Sequence, residues 1–140
     1  MQNIRTFFEG DIFARHCGIE IVDVQPGYAR TQMTVQSIHM NGVNVAQGGA
    51  IFTLADLAFA LACNSHGTVA VAINVNITFM KAARNGVVLT AEAHEVTKNP
   101  KLSACRIDVT DEEGDLVAVF EGLAYRKKDV IPGSKPTVKT

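Results

Sequence analysis

The chain has 140 residues, of which 47% are hydrophobic and 19% are charged, and its formal net charge is -1. This length and composition indicate one globular domain and exclude a largely disordered chain. The small net charge creates no overall field that would recruit nucleic acid or an anionic membrane, so we expect neither as a partner.

The N-terminal third predicts short helical turns followed by a β-hairpin. Apolar residues recur at helix-like intervals over residues 3–16, with an interruption at Gly10. Residues 19–35 then alternate around the turn signal Pro26-Gly27, which is typical of two antiparallel strands. A loop over residues 39–47 leads into the next element.

The next element is an apolar stretch with a single carboxylate. Residues 50–63 are apolar except for Thr53 and Asp56. The stretch is too long for an ordinary strand and too short and Ala-rich to span a membrane, so it predicts a buried helix that opens at the Gly48-Gly49 pair. A helix that is apolar on nearly every face must be covered all round. A sheet can curl over one side, and a second copy of the protein is a natural cover for the other.

From residue 67 onward the hydrophobic period is two, which predicts strands. We expect a long strand with one apolar face, and then three more, over residues 69–79, 87–96, 105–109 and 116–126. Beyond them the chain holds prolines and glycine without an apolar pattern. We therefore predict one domain over residues 1–127 and a mobile tail over 128–140. Antiparallel strands segregated from one long helix indicate the α+β class.

Asp56 is the residue that needs an explanation. It lies about two turns inside the predicted helix, too deep to cap the helix N-terminus. One interpretation is a small solvent-facing stripe shared with Thr53. The other is a functional carboxylate, because desolvation raises a carboxyl pKa in the direction that suits a general base near neutral pH. The pattern leaves both interpretations open.

The Gly48-Gly49 pair offers a complementary group. Backbone N–H groups at a helix start have no acceptor within the helix, and the helix dipole is positive there, so the site can hold an oxyanion. A tight entry from loop to helix is the simpler explanation of the pair taken alone. Asn41 and Gln47 flank the loop and either orient a carbonyl or make turn contacts.

The cysteines and histidines show no metal-site or nucleophile pattern. We interpret the three cysteines as buried, reduced thiols and expect no metal and no cofactor. Charges at the N-terminus, where a signal peptide needs an apolar core, favour a cytoplasmic location. We expect surface or turn positions for the four isolated histidines, His16, His39, His66 and His94.

One spacing resembles a known family. The pattern N-x(5)-Q-G-G-x(6)-D, formed by Asn41, Gln47, Gly48, Gly49 and Asp56, resembles the hotdog-fold acyl-CoA thioesterases, in particular their PaaI-like branch of phenylacetic acid degradation. The similarity covers roughly residues 10–126. It implies a hotdog fold, an antiparallel sheet of five or six strands wrapped around one long central helix. It also implies a homodimer as the minimal unit, often assembled into a homotetramer.

The resemblance also implies a catalytic site between two copies of the chain. Asp56 of one chain would face the Gly48 loop of the other and act on a thioester carbonyl, as general base for water or as nucleophile. The Gly48 N–H would stabilise the oxyanion, with Asn41 and Gln47 positioning the acyl group. Further contacts to the acyl-CoA substrate are expected from Gly49, and from Lys81 and Arg84 at the CoA phosphates.

Gln47 departs from the family pattern, because many members carry histidine at this position. A glutamine still donates a hydrogen bond to a carbonyl but cannot titrate. The leading hypothesis is hydrolysis of aryl-acetyl-CoA or medium-chain acyl-CoA. The alternative is a non-catalytic acyl-CoA-binding protein on the same fold. A hotdog dehydratase is disfavoured, since no histidine stands in the loop before the glycines.

Overall fold

The structure is a computed structural model that describes residues 1–135, without the side chain of Lys98. Its helices are α1 (Gln2–Glu9), α2 (Ile12–His16) and α3 (Gly48–Asn64), with a 3-10 helix at Ser37–His39. Its strands are β1 (Glu20–Gln25), β2 (Tyr28–Thr34), β3 (Thr68–Phe79), β4 (Val88–Lys98), β5 (Leu102–Thr110) and β6 (Leu116–Val130). None of the described helices is long and apolar enough to cross a membrane.

All six strands form one antiparallel sheet in the order β1-β2-β4-β5-β6-β3. The sheet wraps around α3, which contacts every strand. The predicted helical turns, hairpin, central helix and following strands are therefore present. The α+β class and the hotdog architecture are confirmed.

The core lies between α3 and the concave face of the sheet. Leu54, Ala55 and Ala58 on the helix are fully buried, as are Leu89 and Ile107 on the strands. Alanine side chains allow the helix axis to approach the sheet closely while the larger residues fill the remaining volume.

Gly122 on β6 shows how closely the two layers approach. A Cβ atom built on Gly122 would lie 2.7 Å from the ring of Phe59, which is itself fully buried on α3. The missing side chain on the strand therefore makes room for the aromatic ring on the helix.

The short helices α1 and α2 pack against α3 and cover part of the side that the sheet leaves open. The chain thus supplies some of the cover that we assigned to a second copy. A stripe of α3 remains incompletely buried, and it contains Gly49, Thr53, Asp56 and Ala60. These residues follow one another at intervals of four, three and four, so they lie on one helix face. Asp56 and Thr53 do share a stripe, as the first interpretation required.

The predicted apolar face of β3 is only partly buried: Val75 and Ile77 pack against the core, and other members of the face do not. Val71 and Ile73 are exposed, and so is Phe79 at the end of the strand. The physical reason is position: β3 is an edge strand, and a register shift between Ala72 and Asn74 interrupts its pairing with β6. Much of its apolar surface is therefore left on the outside of the protomer.

The expected start of a mobile tail at residue 128 is too early. Strand β6 continues to Val130, and Ile131 is fully buried. The Asn3 side chain then donates hydrogen bonds to the Pro132 carbonyl and the Ser134 hydroxyl, which ties this segment to α1. Burial of the Ile131 side chain thus anchors a segment that its proline and glycine content predicted to be mobile. The remainder of the expected tail, residues 136–140, lies outside the described residues.

Candidate active site

The N-terminus of α3 presents two unpaired backbone donors. Gln47 precedes the helix, and Gly48 and Gly49 are its first residues. The Ala50 N–H already bonds to the Gln47 carbonyl at 3.0 Å. Within residues 1–135, neither glycine N–H has a hydrogen-bond acceptor. Both donors are therefore available to a ligand at the positive end of the helix dipole.

Both glycines also sit against other groups. A Cβ atom on Gly48 would lie 2.9 Å from Cζ of Phe79, and one on Gly49 would lie 3.0 Å from Oε1 of Gln47. Larger residues would displace the Phe79 ring or the Gln47 amide. The glycine pair thus keeps both the helix entry and the Gln47 side chain in their present positions.

Asp56 is a half-buried carboxylate without a hydrogen-bond donor among the described residues. Burial raises its pKa, and the charge of Asp11 raises it further. Asp11 itself is fixed as the N-cap of α2, where its carboxylate accepts the Ala14 N–H at 3.0 Å. An unpaired carboxylate with a raised pKa is a stronger base than an exposed one, which suits proton abstraction from water.

Asn41 orders the loop before the helix. Its Oδ1 accepts hydrogen bonds from the backbone N–H of Val43 at 3.0 Å and of Val45 at 3.2 Å. This is the turn contact that we considered as the alternative to carbonyl positioning. Its amide NH2 has no acceptor within the described part of the chain.

Lys81 and Arg84 were expected to contact the CoA phosphates, but Lys81 is surrounded by carboxylates. Its Nζ lies 2.7 Å from carboxylate oxygens of both Asp111 and Asp115, and 3.6 Å from Glu113. Hydrogen bonds to Asp111 and Asp115 hold the pKa of Lys81 above its ordinary value. A phosphate at this ammonium would meet three carboxylates, so the geometry disfavours Lys81. Arg84 is exposed and has no ion-pair partner in the described range.

A buried polar cluster at the opposite end of α3 escaped the sequence analysis. We define the Glu95 cluster as Glu95 with His66, Ser103 and Arg126. The carboxylate lies 2.8 Å from His66 Nε2 and 3.1 Å from Arg126 Nη2, and it accepts a hydrogen bond from the Ser103 hydroxyl. Burial works to raise the pKa of Glu95, but the hydrogen bonds from His66, Ser103 and Arg126 outweigh it and hold that pKa low.

One histidine and one cysteine differ from expectation. His39 is buried in the 3-10 helix, where both of its ring nitrogens bond to backbone groups. His66 lies in the turn after α3, one of the two kinds of position expected, although it is buried there. Cys17 is only half-buried, whereas Cys63 and Cys105 are buried as predicted. Burial raises the pKa of Cys63, and it raises the pKa of Cys105 to about 12, so neither thiol is a ready nucleophile.

Comparison with known proteins gives consistent matches. The family described as "Thioesterase superfamily" matches residues 44–118. Acyl-coenzyme A thioesterase PaaI of Escherichia coli is 36% identical over 94% of both chains. Human acyl-coenzyme A thioesterase 13 is 31% identical over 71% of this chain and 74% of its own. The solved structure of E. coli PaaI superposes with a TM-score of 0.89 at 35% identity, over 92% of this chain and 94% of that one.

The six-stranded sheet around one long, glycine-led helix defines a hotdog-fold protein, and the matches fix its class. The chain belongs to the thioesterase superfamily, a family of thioester-hydrolysing enzymes. Within that superfamily it is PaaI-like, as the motif spacing predicted.

Proposed function

We propose that the protein hydrolyses acyl-CoA thioesters whose acyl group is an aryl-acetyl or medium-chain group. The support for the acyl-CoA class is the similarity to two enzymes named acyl-coenzyme A thioesterases. The support for an aryl-acetyl group is the similarity to E. coli PaaI, whose structure is described as coming from the phenylacetic acid degradation operon. The products are the free acid and CoA.

Two observations together support the mechanism: the unpaired Asp56 carboxylate and the unpaired Gly48 N–H. In the proposed reaction Asp56 takes a proton from water as the water oxygen bonds to the thioester carbon. The carbonyl oxygen becomes an oxyanion and accepts the Gly48 N–H. The C–S bond then breaks and the CoA thiolate leaves. A thiol pKa of about 8.5 means that the thiolate leaves without a general acid.

A nucleophilic role for Asp56 is the second form of the same proposal. The carboxylate would then bond to the acyl carbon, expel the thiolate and form a mixed anhydride that water opens. A single turnover in 18O-labelled water separates the two forms. The nucleophile places 18O in the Asp56 carboxyl group, because water attacks the anhydride there, whereas the general base leaves that peptide unlabelled.

Helix geometry indicates that one chain is not enough to form this site. Eight residues separate Gly48 from Asp56, which corresponds to a rise of about 12 Å along the helix axis. An aspartate side chain does not bridge that distance to a carbonyl held at the Gly48 N–H. We therefore propose that Asp56 of one chain acts on a carbonyl bound at Gly48 of a second chain.

The exposed edge of β3 supports a homodimer as the minimal unit. The strand is twelve residues long, and one of its edges has no neighbouring strand among residues 1–135. It also carries the exposed side chains of Val71 and Ile73. Long edges of this kind are avoided in monomers unless something pairs with them. Pairing of two β3 edges would continue the sheet. A homotetramer and a cytoplasmic location remain part of the proposal.

The remaining site residues have supporting roles in the proposal. Gln47 donates a hydrogen bond to the thioester carbonyl, and the free amide NH2 of Asn41 contacts the acyl-CoA. Gly49 allows the substrate to approach the helix. Arg84 carries the proposed contact to the CoA phosphates, because the charge of Lys81 is already compensated.

The test is hydrolysis of a thioester panel by the Asp56→Asn variant, with release of CoA thiol followed. The panel contains phenylacetyl-CoA, hydroxyphenylacetyl-CoA, benzoyl-CoA and straight-chain acyl-CoAs. Loss of a general base lowers kcat by about 10²- to 10⁴-fold. Asp129→Asn, which changes an exposed carboxylate on β6, is the matched control and leaves kcat unchanged. Wild-type kcat/KM in the Asp56→Asn variant would refute the role of Asp56. Binding of acyl-CoA by the wild type without thiol release would favour the non-catalytic alternative.

Mixed dimers test whether the site is shared between chains. An Asp56→Asn chain and a Gly48→Val chain are each inactive alone, the second because its side chain meets Phe79 and blocks the N–H. Mixing them regenerates one intact site per mixed dimer, so activity returns to about a quarter of wild type at equal ratio. No recovery after mixing would show that both groups act within one chain.

A further inference from the structure

A cavity of about 430 Å³ opens beside the N-terminus of α3, between α2 and the 3-10 helix. Its walls are mainly apolar and are formed by Phe13, Cys17, Ile38, Met40 and Ala50. This volume falls within the range of roughly 300–1,000 Å³ that is usual for small-molecule sites. We call it the α2 cavity.

Two polar side chains of the α2 cavity, those of Thr53 and His39, bond to the backbone, whereas His16 and Gln47, which also line it, are exposed. Thr53 Oγ1 donates to the Gly49 carbonyl at 2.7 Å. His39 Nδ1 accepts the Gln36 N–H at 2.9 Å, so this nitrogen carries no proton. His39 Nε2 lies 2.7 Å from the Cys17 carbonyl and must be the protonated nitrogen that donates to it. His39 is therefore a neutral imidazole without a free nitrogen for a ligand.

The chemistry of this lining suits an acyl group rather than the nucleotide part of CoA. Of the residues that the structure describes, no lysine or arginine lines the α2 cavity, whereas the CoA phosphates require positive groups. Gln47 and Gly49 stand at the cavity wall, next to the proposed position of the thioester carbonyl. Gly48 itself lines a second cavity, with Phe79, while the residues on either side of it line the α2 cavity. An acyl substituent on a carbonyl held at the helix start can therefore extend into the α2 cavity.

Besides the packing of its buried Ala14 against the core, two hydrogen bonds hold α2 in place. The helix has five residues, too few to be stable by itself. Its N-terminus is capped by Asp11, and its C-terminal Cys17 carbonyl is held by His39. Phe13 projects from α2 and is 66% exposed, so its ring has little packing of its own. The His39 bond, together with the Asp11 cap and the buried Ala14, therefore fixes where the Phe13 ring stands.

We propose that the α2 cavity receives the acyl group, that Phe13 limits the bulk of that group, and that His39 is a positioning residue that holds α2 at the cavity. The proposal rests on the proposed function only in naming the ligand as an acyl group. The apolar lining, the neutral histidine and the attachment of α2 are properties of the fold itself.

Cys17 provides a direct probe of occupancy. It lies in the cavity wall and is half-buried, whereas the other two cysteines are at most 2% exposed. Iodoacetamide should therefore label Cys17 first, and mass spectrometry of the peptides identifies the site. The occupant used is S-phenacyl-CoA, in which a CH2 between sulfur and carbonyl prevents hydrolysis. We expect it to slow Cys17 labelling at least about fivefold, since it buries the thiol, while CoA at the same concentration does not.

Titration calorimetry on the same samples measures binding of S-phenacyl-CoA and of CoA. It distinguishes a wrong cavity assignment from a wrong proposed function. Binding of S-phenacyl-CoA with unchanged Cys17 labelling would overturn the cavity assignment while leaving the proposed function intact. Equal protection by CoA alone would also overturn it, because the cavity would then hold the pantetheine or nucleotide part. Binding of neither compound at millimolar concentration would overturn the proposed function and the cavity assignment together.

Substitution of Phe13 tests its role in specificity. Phe13→Ala widens the cavity, so kcat/KM for biphenylacetyl-CoA relative to phenylacetyl-CoA should rise about tenfold, mainly through KM. Phe7→Ala is the matched control, because Phe7 is an exposed aromatic residue on α1 that does not line the cavity. An unchanged ratio in the Phe13→Ala variant would show that this ring does not limit the acyl group.

His39 is tested by a pair of variants. His39→Gln retains a side chain that both accepts from Gln36 and donates to Cys17, whereas His39→Leu retains neither bond. We expect His39→Leu to raise KM for phenylacetyl-CoA and to speed Cys17 labelling with kcat nearly unchanged, and His39→Gln to restore both values toward wild type. A loss of kcat without a change in KM or in labelling, or the same behaviour in both variants, would contradict the positioning role.

Discussion

The two ends of helix α3 differ in how far their polar groups are hydrogen-bonded within the chain. At the N-terminal end, Gly48 and Gly49 leave their N–H groups unpaired within the described chain, and Gln47 is exposed. At the C-terminal end, the Asn64 side chain exchanges hydrogen bonds with both backbone groups of Ala70, and the Ser65 hydroxyl bonds the Ala62 carbonyl. The N-terminal end therefore has hydrogen-bond donors available to a ligand, whereas the polar groups of the C-terminal end stabilise the fold.

The carboxylates of Asp56 and Glu95 differ in the same way as the two ends of the helix. Asp56 has no donor among the described residues, and burial with the Asp11 charge raises its pKa. Glu95 is surrounded by donors that hold its pKa low despite burial. A carboxylate that is costly to ionise is useful as a base, and one that is fully bonded is useful as a structural anchor. The proposed division of labour is therefore that activity depends on the N-terminal end of α3 and stability on the C-terminal end.

The largest expected effect comes from breaking the C-terminal end with Arg126→Met. The Arg126 guanidinium is fully buried and donates to Glu95, to the Cys63 carbonyl at 3.0 Å and to the Asn99 carbonyl at 3.1 Å. Its loss leaves the buried Glu95 carboxylate without its guanidinium partner, so the free energy of unfolding should fall by about 3–5 kcal/mol. Urea unfolding at neutral pH and fixed protein concentration measures the change.

Arg106→Met is the matched control for that experiment. Arg106 is on β5 and pairs with Asp108 at 3.0 Å, but both side chains are about half exposed. An exposed pair of this kind contributes about 1 kcal/mol or less. Below the unfolding temperature, kcat per folded Arg126→Met molecule should match wild type. Equal destabilisation by the two substitutions, or a selective loss of kcat in Arg126→Met, would break the comparison.

The candidate site at the N-terminal end of α3 could be predicted from the sequence because its residues are close together in the chain. Residues 41–56 carry the loop, the glycines and the carboxylate in one continuous stretch, so spacing alone is informative. The same is true of the long helix, whose composition allows no other buried element. The hairpin followed from turn signals, and the antiparallel sheet wrapped around the helix followed from the family resemblance, but the order of the strands was not predicted.

The C-terminal end was not readable in this way because the four residues of the Glu95 cluster come from four different segments of the chain. Glu95 and Arg126 are paired only by the tertiary fold. A weak signal existed: Glu95 continues the buried positions Ala91 and Ala93 on β4, and Arg126 continues the buried position Ala124 on β6. A charge at a core-facing position indicates a partner in the core, but strand periodicity does not identify that partner.

A smaller effect is expected at the N-terminal end for Gln47→Ala. The side chain is exposed and makes no hydrogen bond within the described residues, so the free energy of unfolding should stay within about 0.5 kcal/mol of wild type. Loss of one neutral hydrogen bond to the thioester carbonyl should lower kcat/KM by about 2- to 10-fold. Steady-state thiol release measures this. A large loss of stability with unchanged kcat/KM would place Gln47 in the fold rather than in the site.

The smallest expected effect is a gain in stability for Asp56→Asn, and it depends on pH. A carboxyl whose pKa is raised by folding stabilises the native state below its unfolded pKa, and that contribution is lost as pH rises through the folded pKa. At pH 7 the wild type therefore carries the cost of ionised Asp56, which asparagine removes, so thermal unfolding of the variant should begin at a higher temperature. The difference should shrink as the pH falls through the raised folded pKa and should vanish below about 4, the unfolded pKa, where the carboxyl is protonated in both states.

Thermal unfolding over the same pH range also reports on Glu95, in the wild type and in the Asp56→Asn variant. The effect of pH on the stability that Glu95 contributes has the opposite sign. Its pKa is lowered by folding, so its stabilising contribution is present above the unfolded pKa and is lost as pH falls through the folded pKa. Both wild type and Asp56→Asn should therefore lose stability in acid, while their difference narrows. A difference that stayed constant down to pH 3 would mean that asparagine gains a contact of its own, and Asp56 would then carry no cost of ionisation that catalysis could use.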